Sequence, residues 1–315
     1  ASCVRGCRPR GGDPFREVLE GEDFAIVVCV DGERFDSVFS VRPVRERFSG
    51  EVLGIINRFP SMVRVIDEDV FDDVVSGLRP GERLAFGVNF VVFPSRYVER
   101  VEDCGVSELA LIFKCMSAVI EFCWEEALER GFSKALVYPF FNIGLGAGGS
   151  VPRLHSQVYI DLSVDGLGRF FDGVLSSFAV GEERGCLLCK REFGERLVYE
   201  NECCMLWVAF SPRRNFHLRF SVKRHVEGFS GLSNLELECL ADVLIKAMKA
   251  LNGVGASSER NVLFYVRPLG FNCFFHFFGE VLPRENLGGL EFLEDCRVCR
   301  VSPEEAAKKL RSLID

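Results

Sequence analysis

The chain passes through one order of elements twice, and that repetition limits the folds open to it. GVNFVVFPSRY (residues 87–97) leads to the helical stretch SELALIFKCMSAVIEFCWEEALERG (107–131). The strand-like KALVYPFFN (134–142), a glycine-rich turn and HSQVYIDLSV (155–164) follow. The second half answers with NFHLRFSVKRH (215–225), the helical SNLELECLADVLIKAMKALNG (233–253) and NVLFYVRPLGFNCFFHFF (261–278), strands around a glycine turn. Arg96 precedes His155 by 59 positions and His225 precedes His276 by 51, with one long helix between them in each case. Ile112, Cys115, Val119 and Phe122 recur at helical spacing, Ser107 suits an N-cap, and Gly131 suits the helix end. Ser233 with Glu236 forms a capping box. This pattern predicts an α+β fold of two repeated domains, each an antiparallel sheet packed with helices. The domains are expected at residues 1–180 and 181–315, joined by the polar VGEERG (180–185). Two unrelated domains sharing an element order is the other reading. PEEAAKKLRSLID at the C-terminus predicts a short helix with Pro303 and Glu304 in its first turn.

Composition narrows the partners. At 315 residues there is room for about two domains of ordinary size. A net charge of −8 argues against coating a nucleic acid, which needs a clustered excess of Lys and Arg, but permits a small phosphorylated ligand. No apolar run approaches the roughly 18 residues that cross a bilayer. ASCVRGCRPRGGDP carries basic residues with no hydrophobic segment after them, so a cytoplasmic protein without a membrane is expected.

Fourteen cysteines are unusual for such a protein. Disulfides are rare in that compartment outside hyperthermophiles, and metal sites are the other explanation. Cys186/Cys189 and Cys296/Cys299 are two CxxC pairs able to form a four-thiolate zinc site. Cys203 and Cys204 are adjacent, and Cys3 and Cys7 lie near the terminus. Buried free thiols with one or two disulfides is the alternative, applying to Cys115, Cys123 and Cys239 in apolar runs.

Chemistry concentrates in FFNIGLGAGGSVPRLHSQVYID (140–161). Gly144, Gly146, Gly148 and Gly149 permit positive φ and close approach of a ligand. Strand alternation puts Arg153, His155 and Gln157 on one face. A neutral imidazole is nucleophilic near pH 7, an amide beside it can hold a phosphoryl oxygen, and turn amides can stabilise developing charge. A lone histidine is more often a packed core residue, so His155 gains meaning only from its surroundings.

Those surroundings are specific. N-I-G-x-x-x-G-G-S-V-P-R-L-H-S-Q resembles the active-site signature of galactose-1-phosphate uridylyltransferases, a branch of the histidine-triad superfamily. The resemblance implies two histidine-triad-like domains, with His155 nucleotidylated and Gln157 holding phosphate. It makes Ser150 the serine of the leaving phosphate and Asn142 the opening asparagine, with Gly148, Gly149 and Arg153 lining the substrate site. IINRFPSM (55–62) is similar to the segment whose asparagine contacts ribose, here Asn57. RPRGGDP is faintly similar to the family's N-terminal Arg and Asp-Pro motif. LEFLEDCRVCRVSPEEAAKKLR (290–311) resembles the segment whose glutamate binds sugar hydroxyls, here Glu291. FSVKRH and FFHFFGEVLPR resemble the second-domain Lys-x-His loop and His-x-His strand.

Departures accompany the matches. Arg153 stands at a family zinc histidine and Arg96 near the other, so a first-domain zinc site is not expected. Phe274 replaces a metal histidine, and the Lys-Phe pair that clamps galactose phosphate has no counterpart before Gly289. GCLLCKREFGERLVYEN (185–201) resembles the opening of small histidine-triad proteins. That makes Cys186, Cys189 and His225 a zinc site, completed by Cys273 or His276; a reduced, empty pair or a disulfide elsewhere is the alternative. His217 is expected to be a surface or core residue.

The resemblance implies a hexose-1-phosphate uridylyltransferase acting by double displacement through a uridylyl-histidine. Its partners would be a nucleotide sugar, a sugar 1-phosphate and a second copy in a homodimer, with no organic cofactor. The alternatives are a phosphorylase of ADP-glucose or dinucleoside polyphosphates, and a non-catalytic nucleotide-binding protein.

Overall fold

Alternation of apolar and polar side chains along short runs separated by Gly- and Pro-containing turns is the pattern of antiparallel strands with two different faces. The computed structural model describes residues 12–64, 72–73, 75–82, 84–163, 169–294 and 296–314. In the first half the strands are β1 (Val27–Val30), β2 (Glu33–Arg34), β3 (Val52–Ile56), β4 (Gly87–Pro94), β5 (Leu136–Ile143) and β6 (Ser156–Asp161). In the second they are β7 (Leu197–Glu200), β8 (Cys204–Val208), β9 (Leu218–Val222), β10 (Arg260–Tyr265) and β11 (Phe278–Pro283).

The two antiparallel sheets expected from the repeat meet edge to edge. They form one 11-stranded sheet in the order β2-β1-β3-β4-β6-β5-β10-β11-β9-β8-β7. Five strands of each half thus run outward in mirrored order from a seam where β5 pairs with β10, Asn142 opposite Asn261. The likeness of the halves extends to detail. The β1–β3 ladder slips between Val27 and Cys29, and the β7–β8 ladder slips between Leu197 and Tyr199.

Helices α1 (Pro14–Leu19), α2 (Val106–Glu129), α3 (Arg169–Arg184), α4 (Leu187–Lys190), α5 (Asn234–Gly253), α6 (Gly289–Glu294) and α7 (Pro303–Arg311) complete the described elements. The long helices α2 and α5 pack against one face of the sheet. There Leu109, Ile112, Phe113, Met116, Leu240, Leu244 and Met248 meet Phe141, Val158, Ile160, Val262 and Val281 in a shared core. Each such side chain contributes about 2 kcal/mol of burial. The Ser233–Glu236 capping box starts α5 as expected, and Gly131 takes φ 88° just past α2. Helix α2 begins two residues earlier than Ser107 predicts, on extended Gly105 with no side-chain cap.

Two further expectations change. The polar composition of residues 180–185 predicts a linker, yet α3 continues through Arg184. FDSVFSV (35–41) reads as a strand, but the Glu126 carboxylate takes the Val38 amide at 3.1 Å and the Ser37 hydroxyl at 2.6 Å, so this segment turns instead. Among the described residues every cysteine is a free thiol. Cys3, Cys7 and the start of RPRGGDP lie outside the described residues. No described helix is long and apolar enough to cross a membrane.

Candidate active site

The face of the sheet turned away from α2 and α5 carries the polar residues singled out above. On β6, Ser156, Val158 and Ile160 point into the core, which turns Gln157 and Tyr159 to the opposite, half-buried side. Register places Gln157 between Val91 of β4 and Phe140 of β5. His155, one residue before the strand, is 5% exposed. Its Nδ1 lies 2.8 Å from the Arg153 carbonyl, a geometry in which Nδ1–H donates and the Nε2 lone pair remains for chemistry. Phe15 of α1 packs 5.2 Å from the imidazole and stacks 4.4 Å from Phe93. Burial holds the His155 pKa below its ordinary value, against the bond to Arg153 that works the other way, so the ring is neutral at pH 7.

The glycine turn has a definite internal structure. Gly144 and Gly148 take φ 86° and 94°, and the intervening residues form one turn of 3₁₀ helix. The amides of Ala147 and Gly149 donate to the Gly144 carbonyl, and that of Gly148 to Leu145, so these donors close the turn. A Cβ at position 149 would lie 2.7 Å from the Asn142 carbonyl, which is why the turn packs so tightly on β5. The Gly146 amide instead donates to the Glu259 carboxylate at 2.7 Å. An anion therefore already rests on this turn, supplied by a residue with no sequence signal of its own, one position before β10.

Asn142 is tied across the seam, its Oδ1 accepting from Asn261 Nδ2 at 2.8 Å. Ser150 is exposed at the end of the turn. Asn57 follows β3, and its amide N–H donates to the Asn89 carbonyl at 2.8 Å. The adjacent Asn89 side chain is 1% exposed and leaves both amide atoms without a hydrogen-bond partner, a feature hidden in the sequence because Asn89 sits inside an apolar run. The row Asn89, Tyr159, Tyr138 runs across β4, β6 and β5 beside the Gln157 row, with Asn57 just past the end of β3 bonded to its first member. Arg153, expected to face a substrate, is 2% exposed. Its guanidinium donates to Asp13 at 2.6 Å, to the Pro94 carbonyl at 2.7 Å and to the Ser95 carbonyl at 2.5 Å. Glu291 is half-buried on α6 and accepts from the Gly288 amide at 2.7 Å and the Val298 amide at 3.4 Å, bonds that lower its pKa. Both hydrogen bonds lie close to it in sequence, at residues 288 and 298.

In the second half the corresponding row is closed. Register aligns Gln157, Phe140, Leu263 and Glu280 across the seam. Two positions before Glu280, Phe278 stacks 4.4 Å from Tyr265 where the first half has its imidazole, and Val174, Leu175 and Phe178 of α3 pack on that group. His217 is fully buried 3.3 Å from Glu280.

A second cluster forms at α4. The ligand atoms of Cys186, Cys189, His225 and His276 all lie within 4.8 Å of one another. Cys186 Sγ is 3.3 Å from His276 Nδ1, and Cys189 Sγ is 3.5 Å from the Nδ1 atoms of both His225 and His276. Tetrahedral zinc with bonds of roughly 2.3 Å to sulfur and 2.05 Å to nitrogen separates its ligands by roughly 3.6 Å, so the set fits a metal ion. His276 Nε2 stands 3.1 Å from the Val222 carbonyl, fixing Nδ1 as the ligating atom. His276, not Cys273, completes the set, and Cys299 points away to the Pro212 carbonyl. A metal here would tie α4, the end of β9 and the entry to β11 into one unit.

The fold defined by this sheet and its paired helices is that of known uridylyltransferase structures. A structure of uridylyltransferase superposes with a TM-score of 0.70 at 20% identity, covering 85% of this chain and 86% of that one. A uridylyltransferase mutant gives 0.69 at 18%, covering 92% and 98%. An ADP-glucose phosphorylase from Arabidopsis thaliana with bound ADP-glucose gives 0.67 at 19%, covering 84% and 81%. No family model and no curated protein sequence matches the chain. At these identities the likeness establishes the fold.

Proposed function

We propose that the chain is a divergent member of the uridylyltransferase branch of the histidine-triad superfamily, a nucleotidyltransferase that works through His155. The observation carrying this reading is the imidazole itself: neutral by burial, its Nδ1 committed to the Arg153 carbonyl, and two residues before Gln157 on the strand that pairs with β5, from which the Asn142–Ser150 turn leaves. Nε2 attacks the α-phosphorus of a nucleotide sugar, and the bond from phosphorus to the sugar-phosphate oxygen breaks, releasing sugar 1-phosphate. The ring becomes cationic, and its Nδ1–H bond to a carbonyl dipole spreads that charge. A second sugar 1-phosphate then attacks phosphorus, and the neutral imidazole is regenerated. Neither step needs water to be activated, and the closeness of Phe15 keeps water from the intermediate.

In this reading Gln157 holds a phosphoryl oxygen and Ser150 the leaving phosphate. The Gly148–Gly149 turn packs the site against Asn142, with the Gly146 amide donating to a phosphate oxygen when Glu259 yields. Asn57 contacts the ribose and Glu291 the sugar hydroxyls. The metal of the Cys186–Cys189–His225–His276 set is zinc, and the substrates are UDP-hexose and hexose 1-phosphate, bound by a homodimer. A second reading has inorganic phosphate as acceptor and ADP-glucose as donor. It is favoured by the missing Lys-Phe pair and by the fold shared with the ADP-glucose phosphorylase.

Intact-protein mass spectrometry after separate incubation with UDP-glucose, UDP-galactose and ADP-glucose tests both. A gain of one nucleoside monophosphate, absent in His155→Ala, is expected, and its mass names the base. Chasing the labelled protein with sugar 1-phosphate or inorganic phosphate names the acceptor. A wild-type protein that never gains mass with any donor ends the proposal.

A further inference from the structure

The first half holds the same architecture as the metal cluster of the second, built from different side chains. Arg96 binds Glu108 twelve residues on and the Asp103 carbonyl seven residues on; Arg224 binds Glu236 and the Gly231 carbonyl at the same two spacings. The residue after each arginine is therefore equivalent: Tyr97 in the first half, His225 in the second. Asp13 stands at the N-cap of α1 as Cys186 stands at the N-cap of α4, and three positions further on are Arg16 and Cys189. Arg153 precedes β6 as His276 precedes β11. The structure brings the four first-half residues together, since Asp13, Arg16, Tyr97 and Arg153 line a single cavity of about 560 Å³.

These residues do not fit a metal ion. A guanidinium has no lone pair to offer and carries the positive charge itself. Its bonds reach the same three segments that the cysteine–histidine set joins in the second half: the helix start through Asp13, the turn after β4 through the Pro94 and Ser95 carbonyls, and the entry to the last strand through its own backbone. Tyr97 lies 5.8 Å from the guanidinium carbon, adding an aromatic face where the second half has an imidazole.

We propose that the Arg153–Asp13 pair replaces, in the first half, the metal ion that the second half is built to hold, and that it positions His155. The link to His155 is direct: the Arg153 carbonyl accepts from its Nδ1, and Phe15, two residues past Asp13, packs on its ring. Arg153 is thus a positioning residue whose guanidinium faces away from the substrate. The positioning part rests on the nucleotidyl-transfer reading above; the replacement part does not.

The test is to build the missing site. The quadruple variant Asp13→Cys, Arg16→Cys, Tyr97→His, Arg153→His is expected to carry two zinc ions per chain by native mass spectrometry, against one for wild type. A variant with the wild-type far-UV dichroism spectrum that still carries one zinc overturns the replacement. Should the quadruple variant not fold, Asp13→Asn keeps the shape and removes the charge. Its His155 labelling is expected to slow 10- to 100-fold at an unchanged half-saturating donor concentration, with rate recovered in part by Asp13→Glu. Labelling at the wild-type rate in Asp13→Asn overturns the positioning role. If wild type itself gains no mass, the functional reading has failed, and the zinc count still decides the replacement.

Discussion

Glu280 occupies on β11 the place that Gln157 holds on β6, and its replacement by glutamine tests what that place has become. The carboxylate is fully buried; it meets Arg219 at 2.8 Å, the Tyr265 hydroxyl at 3.1 Å and the Arg213 guanidinium. Burial by itself pushes this carboxyl up, yet His217, Arg219 and Arg213 outweigh it and hold the group at about 2. Relative to the ordinary 4.5, this depression is linked to about 3 kcal/mol of folding free energy at neutral pH. A depressed carboxyl contributes fully above its unfolded value, and that contribution drains away as pH falls through the folded one. Urea unfolding of Glu280→Gln is expected to show a loss of about 3 kcal/mol at pH 7, narrowing to about 1.5 kcal/mol at pH 3. The melting temperature should fall by roughly 6 °C at pH 7. Equal stability of the two proteins at pH 7, or a gap that stays constant down to pH 3, would refute the reasoning.

Three other outcomes are expected. Gln157→Ala should slow nucleotide labelling of His155 by about 100-fold with little change in unfolding free energy, since its half-buried amide faces the site; rapid-quench mass spectrometry reads the rate. Because burial holds His155 below its ordinary 6.5, the acid limb of the labelling rate should lie below pH 6.5, and an acid limb above it contradicts a neutral buried nucleophile. The same depression makes this histidine a source of instability as pH drops below 6.5, when the unfolded chain takes the proton more readily. Glu259→Gln removes the anion resting on the Gly146 amide, at a cost of about 1 kcal/mol in that bond, and should tighten inorganic phosphate binding about fivefold by calorimetry. Unchanged affinity would show that phosphate does not enter the turn.

Local rules carried far in this chain. The two long helices and the C-terminal one, the capping box at Ser233 and most strands follow from spacing and propensity, because each is decided by neighbours within a few residues. Alternation also put Gln157 on the face opposite the core. What escaped depends on partners distant in sequence. Nothing near residue 37 announces that Glu126 will satisfy its backbone, nothing near Gly146 announces Glu259, and Asn89 reads as part of an apolar strand. Arg153 is the clearest case: alternation predicts its side of the chain, but only the fold shows that Asp13, 140 residues away, claims its guanidinium. The joining of two sheets into one likewise rests on the β5–β10 pairing, which either strand's own sequence leaves open.

That pairing sets the terms on which the halves can exist apart. A chain cut between α3 and α4 would leave Leu136–Ile143 on one fragment and Arg260–Tyr265 on the other as bare edges, each with a full row of unmet amides and carbonyls. Each edge is complementary to its counterpart, so mixed fragments should zip together and rebuild the whole. Kept alone, either would recruit copies of itself. The peptide connection between them acts as a tether that holds the correct edge at millimolar effective concentration and outcompetes strangers.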